Sequence, residues 1–219
     1  MDKWFLIYDD PLADRNFKKA KQKLDTLSEI VTGTGIHDSH RACALKSLTD
    51  RFLVLDADCE ILDDFNYTTF LEHLTSEKKV FVYRAINPVN NLVYGHGGIK
   101  VFDRRLFNNN NAVDMTTAFD IVPVDYITNI HKFNSTAYHT WRTAFRECVK
   151  LASGTVKLRN KKDDEYRLTT WCEVFNDVDF AEFAKQGALA GREYGYKNEE
   201  LSNINNFKWL KSKFKDIVK

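Results

Sequence analysis

The sequence predicts a layered α/β fold, a mixed sheet flanked by helices, and three observations carry that expectation. Short apolar runs read as strands at Trp4–Tyr8, Arg51–Leu55, Val80–Arg84 and Ile99–Phe102. Stretches with helical apolar spacing separate the first of them. Their alternation through the first half of the chain is what a sheet covered by helices requires.

The elements follow in order. Trp4-Phe5-Leu6-Ile7-Tyr8 is a strand that stops at the turn-forming Asp9-Asp10-Pro11. Leu12–Ile30 reads as a helix, because Phe17, Ala20, Leu24 and Leu27 make one apolar stripe opposite lysines. Val31–His37 is a short strand and a loop containing Gly33 and Gly35, and Asp38 then caps a helix to Ser47. After the strand at Arg51–Leu55, Phe65–Leu74 is a short helix or turn-rich link, and Asn87–Gly98 is a loop between two strands. In the second half, Asn108–Asn111 is an exposed loop and Trp141–Leu151 a helix with Trp141, Phe145, Cys148 and Val149 on one side. Lys157–Arg167 is a charged, solvated connector, and Val178–Ala190 is helical. Residues 1–205 are read as one domain with a helical C-terminal part. Residues 206–219 are a basic amphipathic tail, with Phe207, Leu210, Phe214 and Ile217 at helical spacing among five lysines.

Composition narrows the classes of function. The net charge is +1, so no global field calls for a nucleic-acid partner, although a local basic face is compatible with it. No run approaches the ~20 apolar residues of a membrane span, and the N-terminus lacks signal-peptide architecture. The four cysteines are widely spaced and read as reduced, buried thiols of a cytosolic protein.

The chemistry gathers at Phe52-Leu53-Val54-Leu55-Asp56-Ala57-Asp58. An apolar strand ends in two acids one residue apart, and strand alternation would aim both carboxylates the same way. Paired carboxylates suit a hard divalent cation, Mg²⁺ or Mn²⁺, holding a diphosphate. Gly33-Thr34-Gly35-Ile36-His37-Asp38-Ser39-His40-Arg41 places glycines before a helix start, where backbone amides favour phosphate, with His40, Arg41 and Lys46 as added donors. Asn87 to Lys100 combines amides, Tyr94, His96, Gly97 and Gly98, the residue types that a sugar pocket uses. Arg142 and Arg146 lie four apart on one helical face, where a diphosphate could meet them. His131 and His139 are candidates for a further metal ligand, and His139 is the one placed in the metal set.

Taken as an ordered set, these residues resemble a known family. The set runs through Tyr8-Asp9-Asp10-Pro11, Gly35-Ile36-His37 with His40, Asp56-Ala57-Asp58, and Arg84 with Asn87-Pro88. It continues through Tyr94-Gly95-His96-Gly97-Gly98-Ile99-Lys100, Asp114-Met115-Thr116-Thr117 and Trp141-Arg142 with Ala144-Phe145-Arg146-Glu147-Cys148. From Phe5 to about Tyr194 the chain resembles small glycosyltransferase-like proteins of tailed bacteriophages. Family members often have Asp-Gly-Asp at Asp56–Asp58 and an aromatic residue at His96.

The resemblance implies a GT-A-like, Rossmann-like nucleotide-sugar domain and a cytoplasmic enzyme of the infected host cell. It implies a UDP-sugar donor bound near Asp9, Asp10, Gly35, His37, His40 and Arg41, with Arg142 and Arg146 adding charge and Asp56 and Asp58 holding Mn²⁺ or Mg²⁺. Asn87, Tyr94, His96, Gly97, Gly98 and Trp141 would shape the sugar and acceptor pocket, and Asp114 would be the catalytic base. The implied acceptor is a hydroxymethylated pyrimidine, such as 5-hydroxymethylcytosine, in double-stranded phage DNA. A polysaccharide or protein acceptor, a binding module without turnover, and a phosphotransferase or nucleotidyltransferase are the other readings.

Overall fold

The computed structural model describes residues 1–31, 36–107, 119–155, 160–198 and 200–217. They form two compact units: Met1–Asn87 with Val93–Lys132, and Pro88–Leu92 with Phe133–Lys219.

The first unit runs β1 (Asp2–Ile7), α1 (Ala13–Lys23), β2 (Leu27–Val31), α2 (Ile36–Lys46), β3 (Arg51–Asp56), β4 (Cys59–Ile61), α3 (Tyr67–Glu72), β5 (Val80–Ile86), β6 (Val93–Asp103) and β7 (Ile121–His131). Among the described residues its strands make one mixed sheet in the order β2-β1-β3-β6-β5-β7-β4. β1 lies parallel to both β2 and β3, whereas β6 runs antiparallel to β3 and β5. The expected α/β class holds.

Strand alternation sorts the core into two layers. Phe5, Leu53 and Leu55 pack with Ala13 and Ala20 of α1 and Phe70 of α3. Leu6, Phe52 and Val54 pack on the opposite face with Cys43 and Ala44 of α2. The chain therefore leaves β1 along one face to reach β2, then returns along the other face to β3 on the far side of β1. The strand order reverses at β1, and such a point opens a crevice at the carboxyl ends of the strands.

Several elements differ from expectation. The helix expected over Leu12–Ile30 ends at Lys23, and the chain reverses through Thr26 at φ 60° into β2. Lys3 Nζ donates to the Asp25 carbonyl at 2.6 Å, pinning that turn to β1. The loop expected over Asn87–Gly98 becomes β6 from Val93 onward. β7 has no counterpart in the sequence reading, because Pro123 and Asp125 interrupt its apolar pattern.

Only Ala57 and Asp58 connect β3 to β4, although three strands lie between them in the sheet. Three Cα steps reach about 11 Å, while four inter-strand spacings amount to about 19 Å. The sheet must curl until the end of β7, with β4 attached, meets the end of β3.

The second unit is helical: α4 (Ala137–Ser153), α5 (Lys161–Glu173), α6 (Ala181–Lys197) and α7 (Phe207–Ile217). The charged segment expected as a connector enters α5 at Lys161, where the Asn160 side chain accepts from the Lys162 amide. Buried Arg167 of α5 pairs with Glu147 of α4. Gly187, Gly191 and Gly195 fall every fourth residue on α6, and added Cβ atoms would lie 2.4, 2.3 and 2.7 Å from the carbonyls of Trp141, Phe145 and Val149. Only glycine lets the two backbones approach so closely. α7 buries Leu210 against Trp141 and Phe145, with Phe207, Trp209 and Phe214 packed around it. Lys208, Lys211 and Lys215 of α7 are exposed.

Candidate functional site

The crevice predicted by topology is where the paired acids sit. Leu6 of β1 pairs with Asp56 of β3, so Asp56 marks the carboxyl ends of both strands. The strand stops there. Ala57 and Asp58 form a turn, in which the Ala57 amide donates to the Leu6 carbonyl at 2.9 Å and the Ala57 carbonyl accepts from Asn16 Nδ2 at 2.8 Å. The two carboxylates are thus placed by a strand end and a turn, not by alternation along one strand.

Each carboxylate meets a nitrogen of the chain. Lys100 of β6 pairs across from Val54, on the face that Asp56 shares, and its Nζ lies 3.3 Å from Asp56 Oδ2 and 3.5 Å from His40 Nε2 of α2. Asp58 Oδ2 lies 2.8 Å from Nε2 of His131, the last residue of β7. The Lys132 amide donates to the Asp58 carbonyl at 2.6 Å, and the Cys59 thiol reaches Asp58 Oδ1 at 3.5 Å. Burial, reinforced by Asp58, raises the Asp56 carboxyl to about 6 against the opposing charges of Lys100 and His131. Burial also pushes the Cys43 thiol up to about 12 and the Cys59 thiol well above its usual range, and nearby Asp56 adds to both shifts.

β6 distorts beside this cluster. Its ladder with β5 runs from Val82↔Lys100 to Arg84↔Gly95, so β6 spends five residues where β5 spends two. The resulting bulge carries Gly98. A Cβ on Gly98 would lie 2.3 Å from Cys59 Sγ and 3.2 Å from Asn129 Oδ1, so glycine is what lets β6 lie against Cys59.

The donor chemistry suits a divalent ion in part. Asp56 Oδ1 is buried and makes no hydrogen bond among the described residues, which leaves one carboxylate oxygen for a cation. Asp58 and the His131 imidazole stand next to it. Among the described residues, no three His, Cys, Asp or Glu side chains are grouped to hold an ion by themselves. Such a partial shell fits ions completed by substrate phosphates rather than caged by protein.

The remaining expected residues fall as follows. Asp9 and Asp10 follow the carboxyl end of β1, where Asp10 Oδ2 accepts from the Tyr8 amide at 3.3 Å. Arg41 is exposed on α2, and His40 is buried against Phe102. Tyr94 is buried in β6, and Asn87 is buried just after β5. Gly35 and Asp114 lie outside the described residues, as do the side chains of His37 and His96 and the Gly97 position.

His139, Trp141, Arg142 and Arg146 belong to the second unit. His139 Nδ1 lies 2.7 Å from Thr136 Oγ1 at the start of α4. Trp141 is fully buried and stacked on Phe145. Arg142 is buried, with its guanidinium over the rings of Tyr138 and Phe207, and Arg146 also lies over Phe207. Nothing in the sequence alone marks Lys100 and Cys59 as site residues beside the paired acids. Their strand register reveals them, and that register depends on the β6 bulge and on β7.

No protein-family model matches the sequence, and no curated protein matches it. Among solved structures, the mannosyltransferase PcManGT from Pyrobaculum calidifontis, in complex with GDP-Man and Mn²⁺, is similar at TM-score 0.48 and 11% identity over 87% of this chain and 73% of that one. HddC from Yersinia pseudotuberculosis is similar at TM-score 0.38 and 9% identity, over 59% and 71% of the two chains. TarS from S. aureus is similar at TM-score 0.34 and 10% identity, over 94% and 74%. At these scores and identities the likenesses assign neither activity nor substrate to this chain.

Proposed function

We propose that the chain is a metal-dependent glycosyltransferase of GT-A-like architecture, moving a sugar from a UDP-sugar to a hydroxyl acceptor. One observation carries the proposal. Asp56 and Asp58 stand at the carboxyl ends of β1 and β3, where the strand order reverses, with a buried carboxylate oxygen left over for a cation. Crevices of this kind take nucleotides.

In this reading Asp56 and Asp58 hold Mn²⁺ or Mg²⁺. The ion would offset the negative charge gathering on the departing nucleoside diphosphate. His131 orients the Asp58 carboxylate through their 2.8 Å contact. Lys100 holds Asp56 at the floor of the crevice. Asp114 takes the proton of the incoming hydroxyl if the outcome is inverting. The acceptor implied by the resemblance is 5-hydroxymethylcytosine in double-stranded phage DNA, and the exposed lysines of α7 are compatible with a phosphate backbone.

The test is mass spectrometry of hydroxymethylcytosine DNA incubated with the protein, Mn²⁺ and a panel of UDP-sugars. A mass gain of one sugar residue on the base is the expected result. UDP release with transfer to a glycan or peptide hydroxyl would move the acceptor and keep the enzyme class. No UDP release with any donor and acceptor would refute the proposal.

A further inference from the structure

The cation nearest the paired acids belongs to the chain itself. Lys100 is a buried lysine in the middle of a sheet, a costly position unless its charge has a use. Among the described residues its partners are Asp56 Oδ2 at 3.3 Å and His40 Nε2 at 3.5 Å, two of the three contacts that an ammonium can make. It stands where β6 rejoins its ladder with β5 after the bulge, two residues from the Gly98 backbone that packs on Cys59. The sheet therefore presents an ammonium and two carboxylates at one strand end.

A purely structural ion pair does not account for this placement well. Asp56 and Asp58 alone would repel a diphosphate whenever no divalent ion is present. A fixed ammonium between α2 and β3 offsets part of that repulsion and leaves one donor for a phosphate oxygen. We propose that Lys100 is a phosphate-binding residue, giving the crevice a metal-independent affinity for nucleoside diphosphates to which a divalent ion adds a second increment. The proposal rests on the nucleotide-sugar reading of the same site and specifies which part of the diphosphate affinity comes from protein alone.

The experiment is titration calorimetry of the full chain with UDP, in excess EDTA and again in Mn²⁺. Three proteins are compared: the natural chain, Lys100→Met and Lys100→Arg. The natural chain should bind UDP in EDTA, more weakly than in Mn²⁺. A charge-assisted contact to phosphate is worth about tenfold or more in affinity, so Lys100→Met should lose at least that factor in EDTA. Lys100→Arg, which keeps the charge, should recover part of it. Because the carboxylates remain, Lys100→Met should still gain affinity on addition of Mn²⁺. Metal-dependent UDP binding by the natural chain with none in EDTA would overturn the inference and leave the transferase reading standing. Unchanged EDTA affinity in Lys100→Met would overturn it as well. Absence of UDP binding by the natural chain in both buffers would overturn the transferase reading together with it.

Discussion

Replacing Gly191 with alanine sets two effects of opposite sign against each other. Alanine is the better helix former by about 1 kcal/mol, so propensity alone predicts a more stable α6. The structure predicts the reverse. The new Cβ would sit 2.3 Å from the Phe145 carbonyl oxygen, 2.9 Å from its Cα and 3.0 Å from its carbonyl carbon. All three atoms are backbone in the middle of α4, so no side chain can swing aside. Relief requires α6 to withdraw from α4 by about 1 Å along the contact made by Gly187, Gly191 and Gly195, which loosens the packing of Trp141 and Phe145. Overpacking of this kind costs about 1–3 kcal/mol, and here it falls at the severe end because the whole helix must shift. Net destabilisation of about 2 kcal/mol corresponds to a Tm lower by roughly 4–8 °C for a chain of this size. Thermal unfolding followed by circular dichroism measures it directly. A Tm equal to or above that of the natural protein would show that the helices are not in contact through these glycines.

Other predictions concern the crevice. Asp58→Ala should abolish sugar transfer, by at least about a hundredfold, with an unchanged near-UV circular dichroism spectrum; full activity in this variant would sink the metal-site reading. Asp56 has a folded-state pKa of about 6, above the unfolded value of about 3.9. Its ionised form therefore costs stability above pH 6, and that cost is relieved as pH falls from 6 toward 4. Between pH 7.5 and 5 this group should add about 1 kcal/mol to the natural protein, read from urea unfolding as a slope that Asp56→Asn lacks; parallel curves for the two proteins would contradict the raised pKa. Gly98→Ala should be destabilising by about 1–3 kcal/mol through its clash with Cys59, and Cys59→Ala in the same chain should restore much of the loss. If the double variant is no better than the single one, the contact at Gly98 is with something other than Cys59.

The core strands were legible because β1, β3 and β5 are continuous apolar runs, as strands buried on both faces must be. β7 was not legible, since Pro123 and Asp125 lie in an exposed stretch where nothing enforces an apolar pattern. β2 is hidden in the sequence because Leu24 and Leu27 continue a helical stripe by coincidence of spacing, and the reversal at Thr26 has no glycine or proline to mark it. The acids at Asp56 and Asp58 stood out locally, whereas Lys100 acquires meaning only through a partner 44 residues away. Register, unlike composition, is invisible until the strands are paired. The same distinction explains His131 and His139. Both are single histidines in the sequence, and only the pairing of β4 with β7 brings the first against Asp58.

The two-residue link between β3 and β4 makes the curled sheet behave as a closed hoop. Starting at Asp56, hydrogen bonds lead through β6, β5 and β7 to β4, and the covalent turn Ala57-Asp58 completes the circuit. A turn in an open sheet can fray by itself, but this one can move only if a ladder elsewhere on the hoop gives way. Its amides should therefore exchange with solvent as slowly as those of the central strands, and a ligand gripping Asp58 would pull on β7 as directly as on β3. Force or binding energy applied at the crevice is shared by five strands at once, so the acids keep their spacing whether the crevice is full or empty.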